Sequence, residues 1–182
     1  MNKNIGIIVG FIILAVIIVG VYVFQNSKED AMMVEKQVEQ KVMEEKGVVE
    51  EKAMMTMVYQ YAGELSDVTK GKVIRGTSTD GKSSGVAKAN FKDGVYNLYA
   101  TFSNLPDLKD SNFYEGWIVR KSLRYSVIST GKLEKVGNMY TNLYTSEVDL
   151  TDHSFYVLTL EPNDGNPKPA DHILEGTMVK NK

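Results

Sequence analysis

The chain has 182 residues, with 21 Lys or Arg against 23 Asp or Glu, a formal net charge of −2, and no cysteine. That balance leaves neither a basic footprint for nucleic acid nor an acidic tail. The missing cysteines exclude disulfides, thiolate catalysis, thiolate metal sites and an acylated lipoprotein terminus.

Residues 1–4 read as a short cytoplasmic N-terminus. They are followed by an uncharged apolar run from Ile5 to Phe24, weakened as a helix only by Gly6, Gly10 and Gly20. Twenty residues at about 1.5 Å each span roughly 30 Å, the hydrocarbon thickness of a bilayer. The run exceeds the apolar core of about 7–15 residues in a signal peptide, and the following VYVFQNSKED offers no small-x-small cleavage site. An uncleaved transmembrane helix over 5–24 is therefore expected. Lys3 and the α-amino group precede the span, whereas Lys28, Glu29 and Asp30 nearly cancel after it. The expected topology is a single-pass cell-membrane protein with its N-terminus inside and its body outside.

Residues 25–58 are rich in Glu, Lys, Gln, Val and Met, with no Pro and a single Gly47. Such residues favour a helix, so the segment reads as a helical stalk or linker. Val38, Val42 and Val49 can share a seam, but that register puts Glu45 and Lys52 at core positions, which a coiled coil disfavours. A solvated spacer, with Glu35 and Glu39 opposed by Lys36 and Lys41, is the expected form.

From Tyr59 the pattern becomes short runs rich in Val, Ile, Thr, Tyr and Phe, separated by Gly, Asn, Asp and Pro. Tyr96, Leu98, Ala100 and Phe102 alternate with Asn97, Tyr99 and Thr101, the period of a half-buried strand. FYEGWIVR, RYSVISTGKL, MYTNLYTSEV, SFYVLTLE and HILEGTMV are further strands. Turns are expected at Asp80-Gly81, Asp93-Gly94, Gly137-Asn138 and Asp164-Gly165. The pattern predicts an all-β, antiparallel β-sandwich over 59–182, its core filled by Trp117 with several Tyr and Phe.

Gly76 to Ser83 spells G-x-x-x-x-G-K-S, the phosphate loop of nucleotide-binding proteins. That chemistry needs a helix starting at the Lys, and the following SGVAKANFKDG is too short and turn-rich to supply it. A polar hairpin loop is expected instead. Ser129 to Lys132 spells S-x-x-K, but strand and turn residues replace the helix which would bring its Ser and Lys together. His153 and His172 each follow an Asp, and would offer a metal site only if two strand starts were neighbours. The turn at 163–166 is rich in oxygen ligands but lacks the twelve-residue calcium loop, and no G-x-S-x-G frames any serine. No catalytic residue, cofactor or metal is assigned.

The end of the chain is more specific. Phe155 to Pro162 (FYVLTLEP), the loop Asn163 to Pro169 (NDGNPKP) and Ile173 to Gly176 (ILEG) resemble the closing strand, loop and strand of the anti-sigma-K factor C-terminal domain. Tyr114 to Val119 (YEGWIV) is similar to that family's Tyr-x-x-Trp strand. The resemblance covers about Phe113 to Met178, and the earlier strands by pattern alone. It implies an extracytoplasmic β-sandwich on one membrane helix, and it singles out Trp117, Glu161, Pro162, Pro167 and Pro169 as a partner-binding or structural motif. Pro162 lacks an N–H and ends strand pairing after Glu161, while Pro167 and Pro169 stiffen the loop. Residues 1–4 cannot form the family's sigma-binding domain, so no direct sigma-factor binding is expected. The function read from sequence is a non-enzymatic, membrane-anchored binding module for a protein or envelope partner, with a structural or adhesive surface protein as the alternative and a small hydrolase a more distant one.

Overall fold

The computed structural model describes residues 28–108, 111–122 and 124–182, so the expected membrane span over 5–24 and the terminus over 1–4 lie outside the described residues. Among those described, no helix is long and apolar enough to cross a membrane. The chain divides into two compact units, 1–53 and 54–182.

In the first unit, helix α1 (Lys28–Thr56) begins. Strong helix formers and the absence of Pro sustain it for eight turns at about 3.6 residues each. Met43, Val48 and Val49 are exposed on it.

The second unit contains the strands β1 (Tyr61–Asp67), β2 (Ser84–Lys92), β3 (Val95–Ser103), β4 (Phe113–Arg120), β5 (Ser126–Lys132), β6 (Glu134–Val136), β7 (Met139–Ser146), β8 (Phe155–Glu161), β9 (Asp171–Thr177) and β10 (Val179–Lys180). They form one antiparallel sheet in the order β5-β4-β8-β9-β1-β2-β3-β7-β6, with β10 beside β1. The predicted sandwich of two sheets is corrected to a single, nearly closed barrel. The cause is a change of partner within one extended stretch. β5 pairs with β4, the Leu133 N–H still donates to the Tyr114 carbonyl at 2.9 Å, and from Glu134 the chain pairs with β7 instead. The two ends of the sheet order are thus consecutive in sequence, which brings the sheet round on itself.

Alternation puts Tyr96, Leu98, Ala100 and Phe102 inside the barrel with Tyr114, Ile118, Tyr156, Leu158 and Leu160. Ala87, Ala89 and Ala100 leave room there for the rings. Trp117 is not part of this interior: with Val119 and Val157 it forms a separate apolar cluster on the outer wall. The reason is the period of two, because Tyr114 and Ile118 already face inward on the same strand. A second outer cluster joins Met54, Tyr59 and Tyr99, and the Tyr59 hydroxyl donates to the Met54 carbonyl at 2.9 Å.

The seam between β5 and β7 is closed by a buried polar network. The Thr130 and Tyr156 hydroxyls donate to Asn142 Oδ1 at 2.6 and 2.9 Å, while Asn142 Nδ2 donates to the carbonyls of Thr130 and Gly131 at 3.1 and 3.2 Å. A single amide satisfies its polar neighbours where sheet hydrogen bonds are missing.

Candidate functional site

The register sorts the loops between the two ends of the barrel. Asp67, Ser84, Ser103, Phe113, Lys132, Tyr140, Glu161 and Asp171 lie at one end, which gathers the connections 68–83, 133–138 and 162–170 and the described residues between β3 and β4. The chain enters at the other end, where Tyr61 pairs with Lys180. Strands of seven to nine residues separate the two by about 25 Å at about 3.3 Å per residue. The first is called the far end below.

Four of the five residues singled out in the sequence meet there. Glu161 is only 2% exposed, and its Oε1 accepts the Ala170 N–H at 2.8 Å, clasping the base of the 162–170 loop. Within the loop, Asp164 Oδ1 accepts from Asn166 N at 2.9 Å and Asn166 Oδ1 from Lys168 N at 3.2 Å. Pro167 and Pro169 are exposed on top, and Pro162 is half-buried behind Glu161. Glu161 therefore supports the loop rather than meeting solvent. Glu161→Ala is expected to cost about 1–3 kcal/mol and to speed amide exchange at Ala170, whereas Glu161→Gln, which keeps an acceptor oxygen, retains most of the protection. Urea unfolding and hydrogen exchange read the two effects.

Trp117 stands apart, on the outer wall, its indole N–H donating to Thr159 Oγ1 at 2.8 Å. It nevertheless shares that wall with β9: Trp117 pairs with Val157 and Val157 with Glu175, while Thr159 pairs with His172.

The phosphate-loop spelling folds as two turns. Arg75 and Gly76 both have positive φ, closing a small hairpin in which Ile74 and Thr77 exchange N–H···O bonds at 2.8 Å. Asp80 and Gly81 also have positive φ, and Ser83 leads into β2 rather than a helix. Asp67 organises this loop: its carboxylate accepts from Thr69 N at 2.8 Å, Thr69 Oγ1 at 2.7 Å and Ser83 N at 3.2 Å. Partial burial pushes the Asp67 carboxyl upward, but hydrogen bonds from Thr79, Thr69 and Ser83 outweigh it and hold the group below its usual range. A carboxyl lowered by folding contributes stability above its unfolded value, about 3.9, and that contribution is lost as pH falls through the lower folded value. Acid unfolding below about pH 4 is thus expected to be flatter in Asp67→Asn than in the parent, from a lower starting stability at neutral pH. Circular dichroism across the acid range checks the slope.

The S-x-x-K spelling lies along β5. Ser129 Oγ donates to Glu115 Oε1 at 2.5 Å, and the Lys132 ammonium sits 3.8 Å from the centre of the Phe113 ring.

A cleft of about 620 Å³ opens at the far end, lined by Val68, Lys72, Val73, Ile74, Asp171, His172 and Glu175. The Val68 N–H donates to the Ile173 carbonyl at 3.0 Å, fixing the 68–83 loop against β9. Arg75 Nε stands 3.2 Å from Asp171 Oδ2, and His172 Nδ1 lies 2.5 Å from Glu175 Oε1. An ionised carboxylate only accepts, so Nδ1 carries the proton of this contact. Lys72 pairs with no carboxylate among the described residues, and Val73 is 71% exposed. A second hollow of about 590 Å³ over β1, β2 and β3 has hydroxyls of Ser66, Ser84, Thr101 and Ser103 in its lining beside the carboxylates of Glu64 and Asp67.

The two histidines are not brought together. β8 and β9 are antiparallel, so His153, just before β8, and His172, near the start of β9, fall at opposite ends of the barrel. His153 is buried near the chain's point of arrival, its Nδ1 2.6 Å from Asp152, which also binds Arg120 at 2.8 Å. Among the described residues no hydroxyl bonds Nε2 of either histidine, and no group of three or more His, Asp or Glu is placed to hold a metal ion. The arrangement at the far end is suited to recognition through charge and aliphatic contact. Neither the cleft nor the clasp could have been found from local sequence, since each joins segments distant along the chain.

Comparison with protein-family models, with curated proteins and with solved structures found no match to this chain.

Proposed function

We propose that this protein is a membrane-anchored, extracytoplasmic binding module without enzymatic activity. In this reading 5–24 crosses the membrane with the N-terminus inside, α1 serves as the stalk, and the barrel presents its far end to a protein or envelope partner. The observation that carries the reading is positional. The cleft beside Lys72 and the clasped, proline-stiffened 162–170 loop lie at the end of the barrel opposite the one where the chain enters. A tethered domain has that end free for a partner, and loops held by a rigid scaffold are where binding residues concentrate. The resemblance of Phe113 to Met178 to the outer domain of anti-sigma-K factors supports a place in envelope signalling or regulation.

Protease accessibility tests the topology. With the full chain in intact spheroplasts, external protease is expected to cut within 28–56 and release a resistant fragment beginning near Met54. Protection of every site until the membrane is permeabilised would overturn the reading.

A further inference from the structure

We propose that the far-end cleft recognises an extended acidic and aliphatic segment of a partner protein, a carboxylate meeting Lys72 and an adjacent aliphatic side chain lying against Val73 and Val68. The inference rests on the reading of the far end as the binding surface, and it adds the chemistry of the ligand.

Charge is the first argument. The 68–83 loop carries Lys70, Lys72, Arg75 and Lys82 against a single acid, Asp80. Arg75 is paired with Asp171 and Lys82 with Asp80, at 3.2 and 2.9 Å. Lys70 and Lys72 pair with no carboxylate among the described residues. The carboxylates of the cleft are in the opposite condition: Asp171 is engaged by Arg75, and Glu175 by His172. The uncommitted charge of the loop is therefore positive, although the cleft contains two acids. A cationic ligand would have to displace existing partners, whereas an anionic one meets the Lys72 ammonium, the one lysine lining the cleft among the described residues.

Surface character is the second argument. Val73 is 71% exposed and Val68 40%, and both line the cleft beside Lys72. An aliphatic group next to a carboxylate gains burial on these valines as well as the ionic contact. Concavity is the third. A cleft of about 620 Å³ between a hairpin and the start of β9 accommodates a narrow chain, while a bilayer presents a broad flat surface.

The test uses the full chain in nanodiscs of neutral lipid and three fluorescein-labelled peptides: acetyl-Ala-Glu-Leu-Glu-Val-amide, its Gln counterpart and its Lys counterpart. Anisotropy is expected to show the Glu peptide binding at least about fivefold more tightly than the Gln peptide, a preference that shrinks with added salt. Lys72→Glu is expected to abolish that preference or turn it toward the Lys peptide. Val73→Ser weakens the Glu peptide while leaving the charge preference intact. Both residues are exposed, and unchanged circular dichroism shows that the variants fold. Equal binding of the Glu and Gln peptides, no effect of Lys72→Glu, or binding only to vesicles containing phosphatidylglycerol would each overturn the proposal. A partner crosslinked from Val73 in cells without any acidic preference leaves the far-end reading standing and removes the ligand chemistry. Loss of both removes both.

Discussion

Gly116→Val is expected to destabilise the barrel by about 3–5 kcal/mol, a substantial part of the roughly 5–15 kcal/mol by which an ordinary domain is stable. A Cβ at this position would lie 2.2 Å from the Tyr156 hydroxyl and 2.5 Å from both Asn142 Oδ1 and Thr130 Oγ1. These atoms belong to the network joining β5 to β7, so the added group cannot be accommodated without breaking the hydrogen bonds that close the seam. Gly116→Ala carries the same first clash with less bulk and should fall between parent and valine variant. Urea unfolding followed by Trp117 emission, the only tryptophan signal, measures the series. Parent-like stability for the valine variant would mean that the seam is not held by this network.

Asn142→Ala is the second large effect, at about 3 kcal/mol. The amide receives two hydroxyl donors and supplies two donors to carbonyls. Removing it leaves buried polar atoms of Thr130, Gly131 and Tyr156 without partners in a low-dielectric interior. Asn142→Asp keeps the shape but cannot donate to the two carbonyls, and it should be no better tolerated. Because the Tyr156 hydroxyl donates to Asn142 Oδ1, Tyr156→Phe in the Asn142→Ala background should cost less than in the parent. A double-mutant cycle on unfolding free energies reads that coupling directly. Strict additivity would show the two groups to act independently.

Several elements are legible in the sequence because a single local signal decides them. Helix formers without Pro account for α1, and the alternation of Tyr96 to Phe102 accounts for β3. Asp93-Gly94 makes the β2–β3 turn with both residues at positive φ, as its composition predicts. β1 and β2 are harder to see. Their inward residues are sparse or small, chiefly Leu65, Ala87 and Ala89, and carry little hydrophobic amplitude.

The difference between sandwich and barrel is not legible at all by alternation, since both bury one face of each strand. It turns on where a strand changes neighbours, here around Leu133, and on a network assembled from β5, β7 and β8. At the far end, Pro162 marks the end of β8 from sequence alone. The clasp of Glu161 on Ala170 and the pairing of Arg75 with Asp171 need the folded chain. Trp117 is conspicuous as the single tryptophan, yet the pleat directs it to the outer wall.

The central claim, that the far end carries the binding surface, is tested most directly by site-specific photocrosslinking in living cells. A photoreactive residue is placed in the full chain at Val73, or at Val148, which is 62% exposed in a loop at the opposite end. The expected result is a discrete heteromeric adduct from position 73, reduced by Lys72→Glu, with none from position 148. Adducts from position 148 alone, or the same adducts from both positions, would contradict it.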